Sequence, residues 1–381
     1  MVKKIVLPLI IVGIVIIAIA IKFAPQAKKV TKAITNVVLH KEDVIKQTND
    51  HTNVLLLGIG GGTHDGPKLT DSIIFASIGR KDQKVTLVSI PRDLWVAEHS
   101  RKINSIYSIA EDNEEGSGLQ TMKDSVSTIL GQPVHYGFRI DFAGFTRAID
   151  EVDGLDIDVE RTFDDYAYPI EGKEDEPCGH TDEEIQSFTA SPSADIGEVD
   201  YFPCRYEHVH FDKGNVHMDG TLALKYVRSR HANGPEGTDF ARSRRQSKVI
   251  NGFKQKVFSL ETFLNPARVL GLFGILKDSI DTDIPEEEIP SWIDFAQKLR
   301  SAKINSTVLD QGSGYREGLL TNPPSSEYGG AWVLAPKAGA EDYSDIQKYV
   351  VCEIVYNECN ADGTPVATPS ATIKPTEFND K

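Results

Sequence analysis

Between Asn53 and Ile90 three apolar runs follow one another closely: NVLLLGI (53–59), SIIFASI (72–78) and VTLVSI (85–90). Each is too short for a helix, rich in β-branched residues and almost free of polar interruption, so each reads as a strand. Alternate side chains of a strand point to opposite faces, and a strand that is apolar on both needs cover on both. This excludes a sheet with one solvated face and predicts an α/β fold. The glycine- and proline-rich loop GIGGGTHDGPKLTD (58–71) separates the first two runs, and Arg80–Lys84 predicts a hairpin between the second and third.

Further along, Leu119, Met122, Val126, Ile129 and Leu130 recur at helical spacing and stop at Gly131, a common helix terminator. A strand near 134–140, a helix near 142–152 and a strand at 155–159 continue the alternation of one α/β domain. Residues 161–214 break that rhythm with Asp, Glu, Pro and Gly, and read as an insertion or long loop clipped between Cys178 and Cys204. Helical periodicity returns over 220–258, 266–276 and 286–299, with late strands near 304–309 and 331–335. The resulting division is a membrane anchor (1–24), a juxtamembrane linker (25–50), a main α/β domain (51–310), a C-terminal extension (311–359) and a flexible tail (360–381).

The anchor rests on residues 5–21, IVLPLIIVGIVIIAIAI, seventeen uncharged positions preceded by Lys3 and Lys4. That length suits a short spanning helix and exceeds the usual apolar region of a cleaved signal, although Ala18-Ile19-Ala20 resembles a cleavage site. Orientation draws on opposing signals. Lys22, Lys28, Lys29 and Lys32 outnumber the two lysines on the other flank, which would keep the bulk of the chain cytoplasmic. The four cysteines, Cys178, Cys204, Cys352 and Cys359, fall in two sequence-local pairs that suit two disulfides in an oxidising compartment, with four free thiols as the alternative. The expectation is a single-pass plasma-membrane protein with its bulk extracytoplasmic.

The chain carries a net charge of −15. Residues 1–50 hold eight lysines against three acids, a balance of +5, which leaves −20 for residues 51–381. So acidic a body repels nucleic acid and makes it a poor partner. Against that background YVRSRHANGPEGTDFARSRRQ (226–246) holds five of the fifteen arginines. Arg228 and Arg230, two apart in a segment read as extended, share a side. Arg242 and Gln246 fall on the stripe formed by Val249, Ile250, Phe253 and Val257 of a following helix and so face inward, whereas Arg244 and Lys248 point elsewhere. Asp239 stands where an N-cap would. Guanidinium groups hold phosphate oxygens in a bidentate manner and helix N-termini add backbone donors, so the arrangement predicts an anion pocket. Arg92 and Asp93 follow the third strand, where ligands of open α/β sheets collect. Asp71 precedes the second strand, and carboxylates beside phosphate-binding arginines suggest magnesium. The glycines of 58–71 lack the Gly-Lys-Ser/Thr of a nucleotide loop, no Gly-x-Ser-x-Gly occurs, and the ten histidines show no metal spacing.

NVLLLGI, LTDSIIFASI, KVTLVSIPRDLWV, KINSIY, MDGTLALKYVRSR and DFARSRRQ, in this order over roughly residues 50–260, resemble the LytR-CpsA-Psr family of envelope proteins. The resemblance implies an α/β/α sandwich with a central mixed sheet and an apolar pocket for a polyprenyl chain. It implies a magnesium-dependent (or manganese-dependent) phosphotransferase that moves a glycopolymer from a polyprenyl-pyrophosphate carrier onto peptidoglycan. Alternatives are a pyrophosphatase acting on the same lipid and a non-catalytic anchored binder of anionic glycan lipid. Carried over by motif, Asp71 would be a metal ligand, while Arg92, Arg228, Arg230, Arg242 and Gln246 would grip the pyrophosphate, with Asp239 beside the phosphates. Leu69-Thr70-Asp71 stands where the family has Arg-Ser-Asp, which makes Lys68 the replacement for a missing arginine. Gly58-Ile59-Gly60 stands where the family has Gly-x-Asp, which leaves Asp65 as the nearest second metal ligand. Asp71, Asp93 and Asp239 are all candidates for the general base.

Overall fold

In the computed structural model, residues 44–62, 66–190, 197–257, 279–313 and 316–366 are described. The expected anchor, the helix at 266–276 and Asp65 lie outside them. Among the described residues no helix is long and apolar enough to cross a membrane.

The three apolar runs form an antiparallel meander, β1 (His51–Ile59), β2 (Thr70–Gly79) and β3 (Lys84–Ile90), with the hairpin at 80–83. A short ladder, β4 (Trp95–Val96) with β5 (Arg101–Lys102), leads to helices α1 (Ile106–Asn113) and α2 (Gly118–Leu130). The next strand, β6 (Tyr136–Asp141), lies parallel to β1. Far along the chain β11 (Ile280–Thr282) pairs antiparallel with β6 and β12 (Lys303–Val308) parallel with β3. The product is a mixed six-stranded sheet ordered β11-β6-β1-β2-β3-β12.

Strand alternation divides the apolar runs between two layers. Leu55, Leu57, Ile73, Phe75, Val88 and Ile90 face a core completed by Met122, Val126, Ile129 and Leu130 of α2. Each such fully buried side chain stabilises the fold by about 1.5–3 kcal/mol. Helix α9 (Ser344–Tyr356) adds Ile346, Tyr349 and Val350 to this core, so the stretch read as a C-terminal extension shares the core of the main domain. The opposite face carries Leu56, Ile74, Ala76 and Leu87, and there it meets Ile250 of α7 (Asp239–Val257). Nearby, Phe295 of α8 (Ile289–Lys298) covers Val54 and Tyr136. Helices on both faces make the three layers.

A second body packs beside the sheet. Helix α3 (Phe142–Glu151), strand β7 (Leu155–Val159), strand β10 (Gly214–Met218) and α6 (Gly220–Arg228) share a core with Phe163, Val209 and Phe211. Gly220 is required there, because a Cβ would meet the backbone oxygen of Thr146 at 2.1 Å. Among the described residues strand β7 pairs with β10 alone, outside the main sheet, contrary to a simple continuation of the α/β rhythm. Within the stretch expected to be an insertion, β8 (Phe163–Pro169) and β9 (Tyr206–Phe211) form a ladder that brackets helices α4 (Asp182–Ala190) and α5 (Glu198–Tyr201). The cysteines form two disulfides, Cys178–Cys204 and Cys352–Cys359. The first closes a loop of sequence separation 26. On the chain-entropy account its removal as a paired Cys→Ser variant is expected to cost about 3.5 kcal/mol, read as a lower denaturant midpoint.

Candidate functional site

Strand β2 runs antiparallel to β1 and β3, so its first residues lie beside their carboxyl ends. The register there slips: Gly58 faces Ser72 but Ile59 faces Thr70, leaving Asp71 as an unpaired bulge residue. A bulge re-aims its side chain, and bulges recur beside active sites. Past β1, Gly61 adopts a φ of +71°, and a Cβ there would meet the Asp141 side chain at 2.8 Å. Only glycine lets this loop pass so close over the end of β6.

Asp71 accepts a hydrogen bond from Arg92 Nη1 at 2.6 Å. Arg92 Nε lies 3.6 Å from Asp93 Oδ2, too far for a hydrogen bond, and is a buried donor without a hydrogen-bond partner. Burial pulls the Arg92 guanidinium down, but Asp71 and Asp93 outweigh it and hold the group above its ordinary value. Lys102, from the KINSIY stretch, donates to Asp93 Oδ1 at 2.7 Å. The loop bearing Arg92 and Asp93 is braced by the C-terminal segment: Leu334 N donates to Asp93 O at 2.9 Å and Trp95 N to Leu334 O at 2.7 Å.

Helix α7 supplies the facing wall. Thr238, not Asp239, caps it, its hydroxyl accepting from Ala241 N at 3.1 Å. That frees the Asp239 carboxylate to pair with Arg242 Nη2 at 2.7 Å. Gln246 Nε2 donates to Ser72 Oγ at 3.3 Å, and Ser243 and Ser89 share a hydrogen bond of 2.7 Å. Asp71, Ser72, Ser89, Asp239, Arg242, Ser243 and Gln246 thus line one narrow cleft. The inward stripe of α7 proves to be two stripes: Arg242, Gln246 and Ile250 face the sheet, while Val249, Phe253 and Val257 join the core of the second body. The helix lies wedged between two partners, which one periodicity count cannot separate.

Arg228 and Arg230 part company. Arg228 ends α6 rather than lying in an extended segment; its guanidinium sits 4.2 Å from the centre of the Phe142 ring and its Nη1 donates to Tyr168 at 3.4 Å. Arg230 faces the cleft cations. Burial, then repulsion from Arg242 and Arg92, pushes its guanidinium down to about 10, with Asp93 and Asp239 opposing. Asp165 fixes the loop that holds it, its Oδ2 accepting from Ser229 Oγ at 2.5 Å, Arg230 N at 3.0 Å and His231 N at 3.2 Å. Nothing in FDDYAYP distinguished Asp165 from an ordinary strand residue. Arg245 is buried and structural: it donates to the carbonyl oxygens of Tyr226, Ser229 and Glu236 at 2.9, 2.6 and 2.9 Å and pairs with Glu236 at 3.0 Å. Arg244 is partly buried and pairs with Glu160 at 3.1 Å and with the buried Glu236 at 2.9 Å. Lys68 is bound to Asp112 at 2.6 Å in an exposed ion pair and is not among the cleft-lining residues.

Three guanidiniums interleaved with three carboxylates at the sheet edge, with a buried donor to spare, form a site for a multiply charged anion. The family model described as LytR_cpsA_psr matches residues 17–325. The chain belongs to this family. It is 26% identical over 301 residues to a relative from Enterococcus faecalis named polyisoprenyl-teichoic acid–peptidoglycan teichoic acid transferase TagU, covering 76% of this chain and 80% of that one. The transferase TagV of Bacillus subtilis is 25% identical over 64% of this chain and 52% of its own length. A Staphylococcus aureus relative named regulatory protein MsrR is 26% identical over 69% of this chain and 64% of its own. The chain therefore spans about half to four-fifths of the length of these relatives. Two crystal structures share the fold: B. subtilis TagV, with TM-score 0.51 at 22% identity over 81% of this chain and 99% of that one, and protein gbs0355 of Streptococcus agalactiae, with TM-score 0.53 at 20% identity over 83% and 91%.

Proposed function

We propose that this family member is a membrane-anchored extracytoplasmic phosphotransferase that moves a glycopolymer from a polyprenyl-pyrophosphate carrier onto peptidoglycan. The observation that carries the reading is Arg230: a partly buried guanidinium held beside two others is unfavourable without a ligand and favourable around a pyrophosphate. Family membership and the transferase names of TagU and TagV support the reaction class. The two disulfides support an oxidising compartment, and the uncharged residues 5–21 support the anchor. Partly buried Leu56, Ile78 and Phe138 on the α7–α8 side of the sheet offer apolar surface for a prenyl chain.

The donor set suits magnesium or manganese, since Asp71, Asp239 and the serine hydroxyls of the cleft are hard oxygen ligands. Asp71 would hold the ion, which neutralises phosphate charge when bound. Arg92, Arg230, Arg242 and Gln246 grip the pyrophosphate oxygens. The acceptor hydroxyl attacks the glycan-bearing phosphorus in line, a new P–O bond forms, the bridging P–O bond breaks and polyprenyl phosphate leaves. Asp239 takes the hydroxyl proton; its carboxylate is the most open of the three, with a side-chain exposure of 38% against 28% for Asp71 and 14% for Asp93.

The test supplies purified protein with radiolabelled polyprenyl-pyrophosphate glycan and peptidoglycan. Label is expected on peptidoglycan; release of free phosphorylated glycan to water with none on peptidoglycan would replace the transferase with a pyrophosphatase. Asp71→Asn is expected to lower transfer at least about 100-fold while lipid binding stays. Unchanged binding of the lipid by a wild-type protein that turns nothing over would leave only an anchored binder.

A further inference from the structure

The β8–β9 ladder carries a constellation that the transfer reaction does not use. Asp164 of β8 lies directly opposite His210 of β9, and His208, two residues earlier, projects on the same side. His208 Nε2 and His210 Nδ1 both reach Asp164 Oδ1, at 2.7 and 2.8 Å. This is the only group of three potential ligands among the described residues whose donor atoms all fall within 4.8 Å of one another.

Two features organise these side chains beyond mere proximity. His210 Nε2 lies 3.3 Å from Asp212 Oδ1, so when an ion takes the place of the proton that Nδ1 shares with Asp164, the Asp212 carboxylate holds the remaining proton on Nε2. Carboxylate support of the far nitrogen is the usual second partner of a metal-bound imidazole. On the other side Tyr166 stacks on His208, with ring centres 4.2 Å apart and planes 5° from parallel, and fixes that ring's orientation.

We propose that Asp164, His208 and His210 bind a divalent cation of the zinc class, distinct from the hard-oxygen ion of the transfer cleft. Two imidazole nitrogens and one carboxylate oxygen favour borderline-soft d-block ions over magnesium. With bonds of about 2.1 Å, tetrahedral ligand atoms stand about 3.4 Å apart, so the trio opens by roughly 0.6 Å to admit the ion. His208 and His210 are nearly half exposed and Asp164 is about one-third exposed, which leaves room for that adjustment and for water as a fourth ligand. The ion would tie β8 to β9 next to Asp165, the residue that holds the backbone of the Arg230 loop. It is therefore a structural brace of the second body.

The test uses the full chain in detergent, stripped with a chelator and kept in millimolar magnesium, titrated with Zn2+ by calorimetry and with Co2+ by visible absorption. One equivalent is expected to bind, with the intense d–d bands of four-coordinate cobalt, and Zn2+ is expected to raise the melting temperature. His208→Ala and His210→Ala are expected to weaken binding at least tenfold and to lose the melting shift, whereas His217→Ala, at the separate His217–Asp156 pair, leaves both intact. Asp164→Asn, which keeps an acceptor for both imidazoles, serves if an alanine variant does not fold. Absence of saturable Zn2+ and Co2+ binding would overturn the site, as would binding that survives loss of either histidine.

Discussion

Arg230→Met is expected to cut glycopolymer transfer by two to three orders of magnitude while leaving the melting temperature unchanged or raised. Both halves follow from the surroundings of this side chain. Its charge is partly buried and faces Arg242 and Arg92; desolvation and then these two cations bring its guanidinium down to about 10. A base whose folded value lies below its unfolded one binds fewer protons folded than unfolded between the two, so stability rises with pH through that window. Below about pH 10 the cost of keeping Arg230 charged is therefore fully present, and at neutral pH the folded protein carries it. Methionine removes the charge and with it the repulsion. What is lost is a donor proposed to hold the pyrophosphate, and one such donor is worth roughly 100- to 1000-fold in rate. Transfer kinetics with a thermal melt check both halves; a variant that loses stability in proportion to its activity would make Arg230 a structural residue.

Fifteen positions on, the same substitution at Arg245 is expected to do the reverse. Arg245→Met should destabilise the protein by about 2–4 kcal/mol, because buried Glu236 loses one of its two cations, keeping only Arg244, and three carbonyl oxygens lose a donor. Chemical denaturation gives the number. The double variant Arg245→Met with Glu236→Gln is expected to recover part of the loss, since a neutral amide no longer needs a charged partner. Surviving folded protein should show weaker transfer as well, because Arg245 fixes Ser229, next to Arg230. A loss below about 1 kcal/mol would show that the clamp is dispensable.

These two arginines belong to one basic segment, and their opposite roles measure how far sequence pattern reaches. Helical phase placed Arg242 and Gln246 on an inward face, and the structure puts both on the cleft. The same phase puts Arg245 on the flank of that stripe and leaves its role undecided, because α7 is buried on two sides rather than one. Strand alternation grouped Arg228 with Arg230, but Arg228 belongs to the last turn of α6, and the two guanidiniums diverge. The capping role suggested for Asp239 passed to Thr238, one residue earlier, because both residue types accept a backbone hydrogen bond and only the helix start decides between them. His208 and His210 showed no metal spacing as a string; two residues apart, they become neighbours only on a strand, and Asp164 reaches them only through the β8–β9 register.

Double-sided burial of β1, β2 and β3, the α/β class, the helix over 119–130 and the sheet edge at which charge gathers are all legible in the residue pattern. These follow from periodicity and local chemistry, which act over a few residues. Tertiary contacts set the β11-β6-β1-β2-β3-β12 order, the bulge at Asp71, the C-terminal brace on Asp93 and the division of the arginines into those at the cleft and those that clamp the backbone. Each of those depends on groups brought together from distant parts of the chain, and their pairing is set by packing and electrostatics that no local pattern encodes.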